Sequence, residues 1–173
     1  MSISLYDASV GSYLQILEGT AGVLEIGKTH ANETGLDLQE IVQTRLRDDM
    51  MPFHFQVVST AHHSFGAIQG IQKGEFTPPS FDLDLDYAGL QGLIEEARTG
   101  LSGLERSDVE ALADGNLTFK LGKNEIPFTA KNFILSFSLP NFYFHATTTY
   151  DILRQAGAPI GKMAFLGQMK AGV

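Results

Sequence analysis

Five histidines carry most of the chemistry that this sequence could perform. An imidazole can carry a proton near neutral pH, exchange hydrogen bonds or bind a metal ion. The chain has no cysteine, which excludes thiol catalysis, cysteine zinc sites and iron–sulfur clusters. It also lacks the P-loop, GxGxxG and GxSxG motifs. The question is therefore what can be done by His30, His54, His62, His63 and His145.

The spacing of the histidines argues against a simple metal site. One helix usually supplies two metal ligands from histidines four residues apart, which share a face. His145 lacks such a partner, because Asn141 precedes it by four residues and Thr149 follows it by four. His54 and His62 would lie about 12 Å apart along a helix axis, too far to bind one ion directly. The alternatives for His145 are a metal ligand completed by another helix, a buried neutral imidazole and a general base.

Helical phase predicts which histidines of residues 52–73 face the interior. With Phe53 at 0°, the apolar face is centred at about 70°, and His54 lies inside it at about 100°. The same count places His62 at the edge of that face, at about 180°, and His63 on the solvent side, at about 280°.

The last long helix carries a polar strip on the face predicted to look inward. Phenylalanines that include Phe144 share this face, and Pro140 should kink the helix because it lacks an N–H. Polar groups buried there need partners. We therefore expect the strip to line a small-molecule pocket, with Tyr143 and His54 as further contacts. The strip comprises Asn141, His145 and Thr148.

Four amphipathic segments position these residues, and they predict long helices over residues 3–31, 52–73, 86–104 and 130–156. Capping-box patterns predict a shorter helix over about 37–49 and one turn from residue 107. Alternation over 117–128 predicts a small β-hairpin, which must pack on the helices because a lone hairpin is marginal. The predicted fold class is mainly α: a four-helix bundle, with a β-hairpin before the last long helix, in a single domain over residues 1–173.

The charge limits the partners. The net charge is −8, with 12 lysines and arginines and no basic cluster. We expect no nucleic acid and no anionic membrane as partner, because both require a positive surface. The N-terminal residues lack the basic and apolar regions of a signal peptide, so we expect a cytoplasmic protein.

Two motifs carry a resemblance to a known group of proteins. DMMPFHFQV at 49–57 and LPNFYFHATTTYDILRQAGAPIGKMAFLG at 139–167 resemble an uncharacterised bacterial family of the DinB/YfiT-like metalloenzyme superfamily. The resemblance implies a four-helix bundle, often dimeric, in which three histidines hold a divalent ion. One comes from the second long helix and two from a His-x-x-x-His pair on the last. His145 matches the first of that pair, Thr149 replaces the second, and His62 or His63 is nearest to the remaining ligand.

With one clear match of three, we expect the metal site to be lost or remodelled into a small-molecule pocket, with no bound metal. One alternative is a hydrolase or thiol transferase that depends on a divalent metal such as Zn, Ni or Mn, with His145 and His62 as ligands. Another is a non-enzymatic homodimer that uses the outward-facing Tyr143 and Tyr150, although these two side chains could instead pack against the C-terminal tail. The sequence does not choose a substrate.

Overall fold

The structure is a computed structural model and describes residues 3–80, 84–169 and 171–172. Its helices are α1 (Ser12–Thr34), α2 (Leu38–Gln43), α3 (Phe53–Ala61), α4 (Ala67–Lys73), α5 (Tyr87–Ser102), α6 (Arg106–Ala111), α7 (Ala130–Phe133), α8 (Leu139–Gln155) and α9 (Lys162–Leu166). Five-residue π turns precede α1, join α3 to α4 and join α7 to α8, at Asp7–Gly11, His62–Gly66 and Ile134–Ser138. The strands are β1 (Glu75–Phe76), β2 (Asn116–Leu121) and β3 (Asn124–Thr129).

The four predicted long helices are confirmed, and the helix that contains α3 and α4 lies between two others. It packs against α8 and against α5, while α1 packs against α5, α8 and α9. The first two long helices end where the sequence predicts, because Gly35 and Gly74 adopt φ angles of 76° and 77°. A side chain is strained in this left-handed conformation, which glycine adopts readily.

The predicted capping boxes are only partly correct. Asp37 caps α2 by accepting a hydrogen bond from Gln39 N, and α2 ends at Gln43 rather than near residue 49. The turn α6 begins one residue earlier than predicted, after Glu105, whose side chain makes no capping bond. Glu110 instead accepts hydrogen bonds from Leu5 N and Tyr6 N, at 3.3 and 2.9 Å. It thus satisfies N–H groups at the start of the first long helix.

The predicted hairpin is present as β2 and β3, and a third strand joins it. β2 pairs with β3 in antiparallel register, with Phe119 opposite Ile126. β1 pairs with β2 in parallel, with Phe76 opposite Phe119. β1 has two residues between Gly74 and a proline-containing loop, which is too short for any periodicity to predict. The sheet packs the rings of Phe76 and Phe119 towards Phe137 beside α8.

The polar face of α3 is buried, contrary to the prediction from helical phase. Gln56, Ser59, Thr60 and His63 lie at about 240–340° on the wheel, the side assigned to solvent. All four are buried in the structure. Because α3 lies between α5 and α8, both of its faces are covered, and a single apolar stripe cannot describe it. His63 is therefore an interior residue, and His62 is half-buried.

The π turn before α8 rotates the inward face of the last helix. A π turn adds about one residue, equivalent to about 100° of rotation. Thr148 and Ile152 are buried within the predicted range of 0–120°, but the buried side chains of α8 also include Phe142, Ala146 and Thr149 at about 160–220°. Phe144, predicted to be inside, is consequently 56% exposed. His145 lies at the edge of the buried face and is half-buried.

Candidate functional site

The imidazole of His145 on α8 is held by a buried amide on α3. His145 Nδ1 lies 2.8 Å from Gln56 Oε1, and Gln56 is 2% exposed. The nitrogen of the Gln56 side chain fixes the orientation of the amide, because Nε2 donates to the carbonyl oxygen of Met51 at 2.8 Å. Gln56 Oε1 can only accept, so His145 Nδ1 carries the proton and donates. In the neutral ring, His145 Nε2 is then a hydrogen-bond acceptor.

His63 lies behind His145 in the interior. The two rings are nearly parallel, with centroids 5.9 Å apart and an interplanar angle of 14°. The rings of Phe76 and Phe137 stand 5.4 and 5.6 Å from the His63 ring. The Nδ1 atom of His63 is buried and has no hydrogen-bond partner within the described part of the chain. Such an atom is rare in a protein interior and marks a place where a ligand or water could bind.

Burial keeps these imidazoles neutral. Burial, together with the smaller effects of the nearby His62 and His145, lowers the pKa of His63 to about 3. Desolvation lowers the pKa of His145 to about 4. Both rings are therefore uncharged at neutral pH, and they act as hydrogen-bonding groups and nucleophilic nitrogens rather than as cations.

His62 extends the pair into a row of three imidazoles, which we call the histidine row: His62, His63 and His145. The His62 ring centroid is 5.7 Å from that of His63 and 4.5 Å from that of Phe76. Its Nε2 lies 2.7 Å from the carbonyl oxygen of Thr77. Burial lowers the pKa of His62, and the Thr77 carbonyl opposes this shift. Because a carbonyl only accepts, Nε2 of His62 carries the proton and Nδ1 is the acceptor.

A hydrogen-bonded chain fixes the backbone beneath His63. Ser138 Oγ donates to the carbonyl oxygen of His63 at 2.6 Å, and Tyr13 Oη lies 2.7 Å from Ser138 Oγ. The Ser138 hydroxyl has one proton, which it donates to the His63 carbonyl, so the Tyr13 hydroxyl must be the donor in its bond with Ser138 Oγ. His63 and Ser138 belong to two different π turns. The chain thus connects α1 to both π turns and positions the middle member of the histidine row.

The other predicted pocket residues use their polar atoms on their own helix. Asn141 Nδ2 donates to the carbonyl of Phe137 at 2.7 Å, and Thr148 Oγ1 donates to that of Phe144 at 2.8 Å. Tyr143 is 40% exposed, with its ring against Phe142. The structure therefore does not bring these side chains together with His145 through hydrogen bonds.

His54 lies apart from the histidine row. It lines a separate cavity of about 180 Å³ with Gln43, Met51 and Asp84. Its Nε2 atom is buried and has no hydrogen-bond partner among the residues that are described. His54 is therefore not a neighbour of His145 in a common pocket.

The residues near His145 do not fit a centre of three histidines. Over the ranges described above, no group of three His, Cys, Asp or Glu side chains is placed to hold a metal ion. Thr149, at the position of the second expected histidine, donates its hydroxyl to the His145 carbonyl at 2.9 Å. Nε2 of His62 is already bonded to Thr77. The side chains that could still contribute a ligand atom near His145 are two imidazoles and one amide, those of His63, His145 and Gln56.

Sequence reasoning missed Gln56 altogether and gave two answers for His63. Helical phase predicts that His63 faces solvent, whereas the family resemblance names His62 or His63 as the remaining ligand. The seven-residue spacing of Gln56 and His63 is two helical turns, which puts both on one face. That spacing is the signal that could have found them, since His145 needs a polar partner on a facing helix.

Comparison with known proteins gives the family of the chain. The sequence profile described as "Domain of unknown function (DUF1993)" matches residues 5–166. The chain belongs to the DUF1993 family. Among solved structures, this DUF1993 chain is similar to a DinB family member from Shewanella denitrificans. The TM-score is 0.80 at 23% identity, covering 98% of this chain and 95% of that one. A search of curated proteins gives no match.

These findings confirm the predicted resemblance and the DinB-like, mainly helical fold of the DUF1993 chain. At 23% identity, the similarity to the Shewanella protein shows the fold alone. None of the described helices is long and apolar enough to cross a membrane. The cytoplasmic location stays a prediction.

Proposed function

We propose that this DUF1993 protein binds a small molecule at His145, in a site remodelled from the metal centre that the resemblance implies. The observation that carries the proposal is the contact between His145 Nδ1 and Gln56 Oε1. It fixes the tautomer and orientation of a half-buried ring and leaves Nε2 as an acceptor. A fixed acceptor at the edge of the core is ready to bind a ligand at no cost of reorganisation.

The surroundings of His145 indicate the chemistry of its ligand. The rings of Phe55 and Phe144 meet the imidazole edge to face, with centroids 5.7 and 5.3 Å away. With its pKa lowered to about 4, His145 does not offer a positive charge to an anion at neutral pH. A matching ligand has one hydrogen-bond donor for Nε2 and an apolar body for the phenylalanines.

A pair of probes that differ only in the donor tests this proposal. Phenol can donate to His145 Nε2, whereas anisole, its methyl ether, cannot. One hydrogen bond should make phenol bind about two- to tenfold more tightly than anisole in an NMR titration. His145→Phe should remove this preference, while Thr147→Ala, an exposed position on the same helix, should keep it. Equal binding of the two probes to the native protein would refute the proposal.

A divalent metal ion is the alternative at the same place. The Gln56 contact favours a metal, because an imidazole that binds a metal through one nitrogen usually donates the N–H of its other nitrogen to an oxygen. The buried Nδ1 of His63, which has no partner among the described residues, also favours it. Metal analysis of untagged protein decides between the two. Stoichiometric Zn, Ni or Mn that is lost in His145→Phe supports a metal-dependent hydrolase or thiol transferase. Substoichiometric metal in every preparation supports the remodelled pocket.

A homodimer is a further candidate, because apolar side chains are exposed on the outer side of the last long helix. Leu135 is 57% exposed, and Tyr143 and Phe144 are exposed beside it. Tyr150, for which packing in a dimer or against the C-terminal tail was predicted, packs against Phe165 of α9, with ring centroids 5.8 Å apart. Light scattering tests the dimer: Phe144→Ser should dissociate it, and a native protein that stays monomeric at high concentration would exclude it.

A further inference from the structure

A larger cavity lies on the other side of α3 from His145. Its volume is about 460 Å³, and it is bounded by the second long helix, by α5 and by residues 77–80. Ligand pockets in proteins typically occupy about 300–1,000 Å³, so this cavity can hold a small organic molecule. Much of its wall is apolar, including Val58, Phe65 and Leu93.

One wall of the cavity is held in place by a close contact. The ring of Phe65 lies over Gly100 of α5, and a Cβ atom at position 100 would stand 2.4 Å from the ring. Glycine is therefore required at this position if Phe65 is to keep its place. The aromatic wall is thus fixed between the two helices and does not depend on a ligand.

His62 presents a hydrogen-bond acceptor to this cavity. The N–H at Nε2 donates to the Thr77 carbonyl, so Nδ1 carries the lone pair and can accept a hydrogen bond. Gly66 lies beside that atom, since a Cβ at position 66 would stand 3.2 Å from His62 Nδ1. Both His62 and Gly66 line the cavity. The glycine therefore leaves space next to the acceptor nitrogen.

The charge at the cavity is negative. Glu96 lines it, and the described residues of the lining include no lysine or arginine. The ion pairs recorded within the described ranges do not include Glu96, whereas its neighbour Glu95 pairs with Arg98 at 2.6 Å. The net charge of the chain is −8. A cation is therefore favoured here over an anion or a neutral molecule.

We propose that this cavity is a second binding site, for a small amphipathic amine. The ammonium group donates to His62 Nδ1 near the carboxylate of Glu96, and the apolar body lies against Phe65 and Leu93. A hydrogen bond from a charged donor is stronger than one from a neutral donor, so the amine should bind more tightly than the matching alcohol. This site is independent of the one proposed at His145.

Three probes that share a phenylethyl group test the charge requirement: 2-phenylethylamine, 2-phenylethanol and 3-phenylpropionate. Titrations followed by NMR at pH 7 and low salt should give a dissociation constant about tenfold lower for the amine than for the alcohol. The carboxylate should bind more weakly than either. An amine that binds no more tightly than the alcohol overturns the proposal.

Single substitutions test which side chains cause the preference for the amine. Glu96→Gln should reduce the preference for the amine, because only the charge-assisted hydrogen bond to His62 Nδ1 remains, whereas Glu95→Gln, the adjacent carboxylate outside the cavity lining, should keep it in full. Gly66→Ala should weaken both the amine and the alcohol, because its methyl group covers His62 Nδ1. His145→Phe should leave all three titrations unchanged, so this site can fail or succeed separately from the first. A preference that is undiminished in Glu96→Gln, or that is lost in His145→Phe, contradicts the assignment.

Discussion

Gln56 Oε1 on α3 accepts a hydrogen bond from His145 Nδ1 on α8, at 2.8 Å. The contact joins two helices at positions 89 residues apart in the chain. It gives a half-buried histidine a defined tautomer, with the proton on Nδ1 and the lone pair on Nε2.

Gln56→Leu should release His145 from its fixed tautomer. The variant removes the acceptor of Nδ1–H and leaves the Met51 carbonyl without its partner. Losing a buried hydrogen bond in this way should lower the free energy of unfolding by about 1–3 kcal/mol. Urea denaturation measures the loss, and Gln69→Leu, at an exposed position on α4, is the control. A loss no greater than that of the control would show that the contact contributes nothing.

Acid should destabilise the protein through the histidine row. The folded-state pKa values of His63 and His145 are about 3 and about 4, below the ordinary value of 6.5. Between each folded-state pKa and the ordinary value of 6.5, the unfolded chain binds more protons than the folded one, so the free energy of unfolding rises with pH. Their contribution is complete above pH 6.5 and is lost progressively as the pH falls towards 4 and then 3.

The measurement is the urea midpoint between pH 7.5 and 4.5, compared for the native protein and His145→Phe. The variant should show a shallower decrease, because one of the three imidazoles with a lowered pKa is gone. Since His145 is half-buried, solvent reduces its share, and His63 should account for most of the remaining slope. A native midpoint independent of pH in this window would contradict the burial of both rings.

Ser138→Ala should cost more stability than Tyr13→Phe. The serine variant removes the side-chain bond to the His63 carbonyl and leaves the buried Tyr13 hydroxyl without its acceptor, a loss of about 1–3 kcal/mol. The tyrosine variant removes only a donor, and Ser138 keeps its bond to His63. Chemical denaturation of the two variants, side by side, checks the order. If Tyr13→Phe proves the more damaging, the donor assignment along this chain is wrong.

Glu110→Ala should free the start of the first long helix. Hydrogen bonds from Ser4 and from the Tyr6 N–H lower the pKa of Glu110, which shows that its charged form is the one held in the fold. A carboxyl group with a lowered pKa contributes stability above its ordinary pKa and loses it in acid. Amide hydrogen exchange over residues 4–11 should therefore accelerate several-fold in the variant, with Asp108→Ala as the control. Unchanged exchange at Tyr6 would exclude this role.

The sequence predicted the framework well because its signals are local. Gly35 and Gly74 end helices through their own backbone conformation, and Thr129 caps the last helix by accepting from Asn132 N. The alternation of β2 and β3 likewise depends on neighbours in the chain. Such features need no knowledge of which elements pack together.

The candidate site was harder to predict because it depends on tertiary packing. His63 and Gln56 read as solvent-facing residues on a wheel, and only the position of α3 between α5 and α8 buries them. The π turn at Ile134–Ser138 has no sequence signature that we used, yet it moves Phe144 from the core to the surface. Helical phase is reliable only within an uninterrupted helix with one buried face.

The measurement that tests the central claim most directly is a long-range ¹H–¹⁵N spectrum of the histidine rings at pH 7, recorded with and without phenol. We predict that His145 has a protonated Nδ1 and an unprotonated Nε2, and that phenol moves the Nε2 resonance while the Nδ1 resonance stays in place. A proton on Nε2 in the native protein, or an Nε2 resonance that saturating phenol leaves unmoved, would contradict the account.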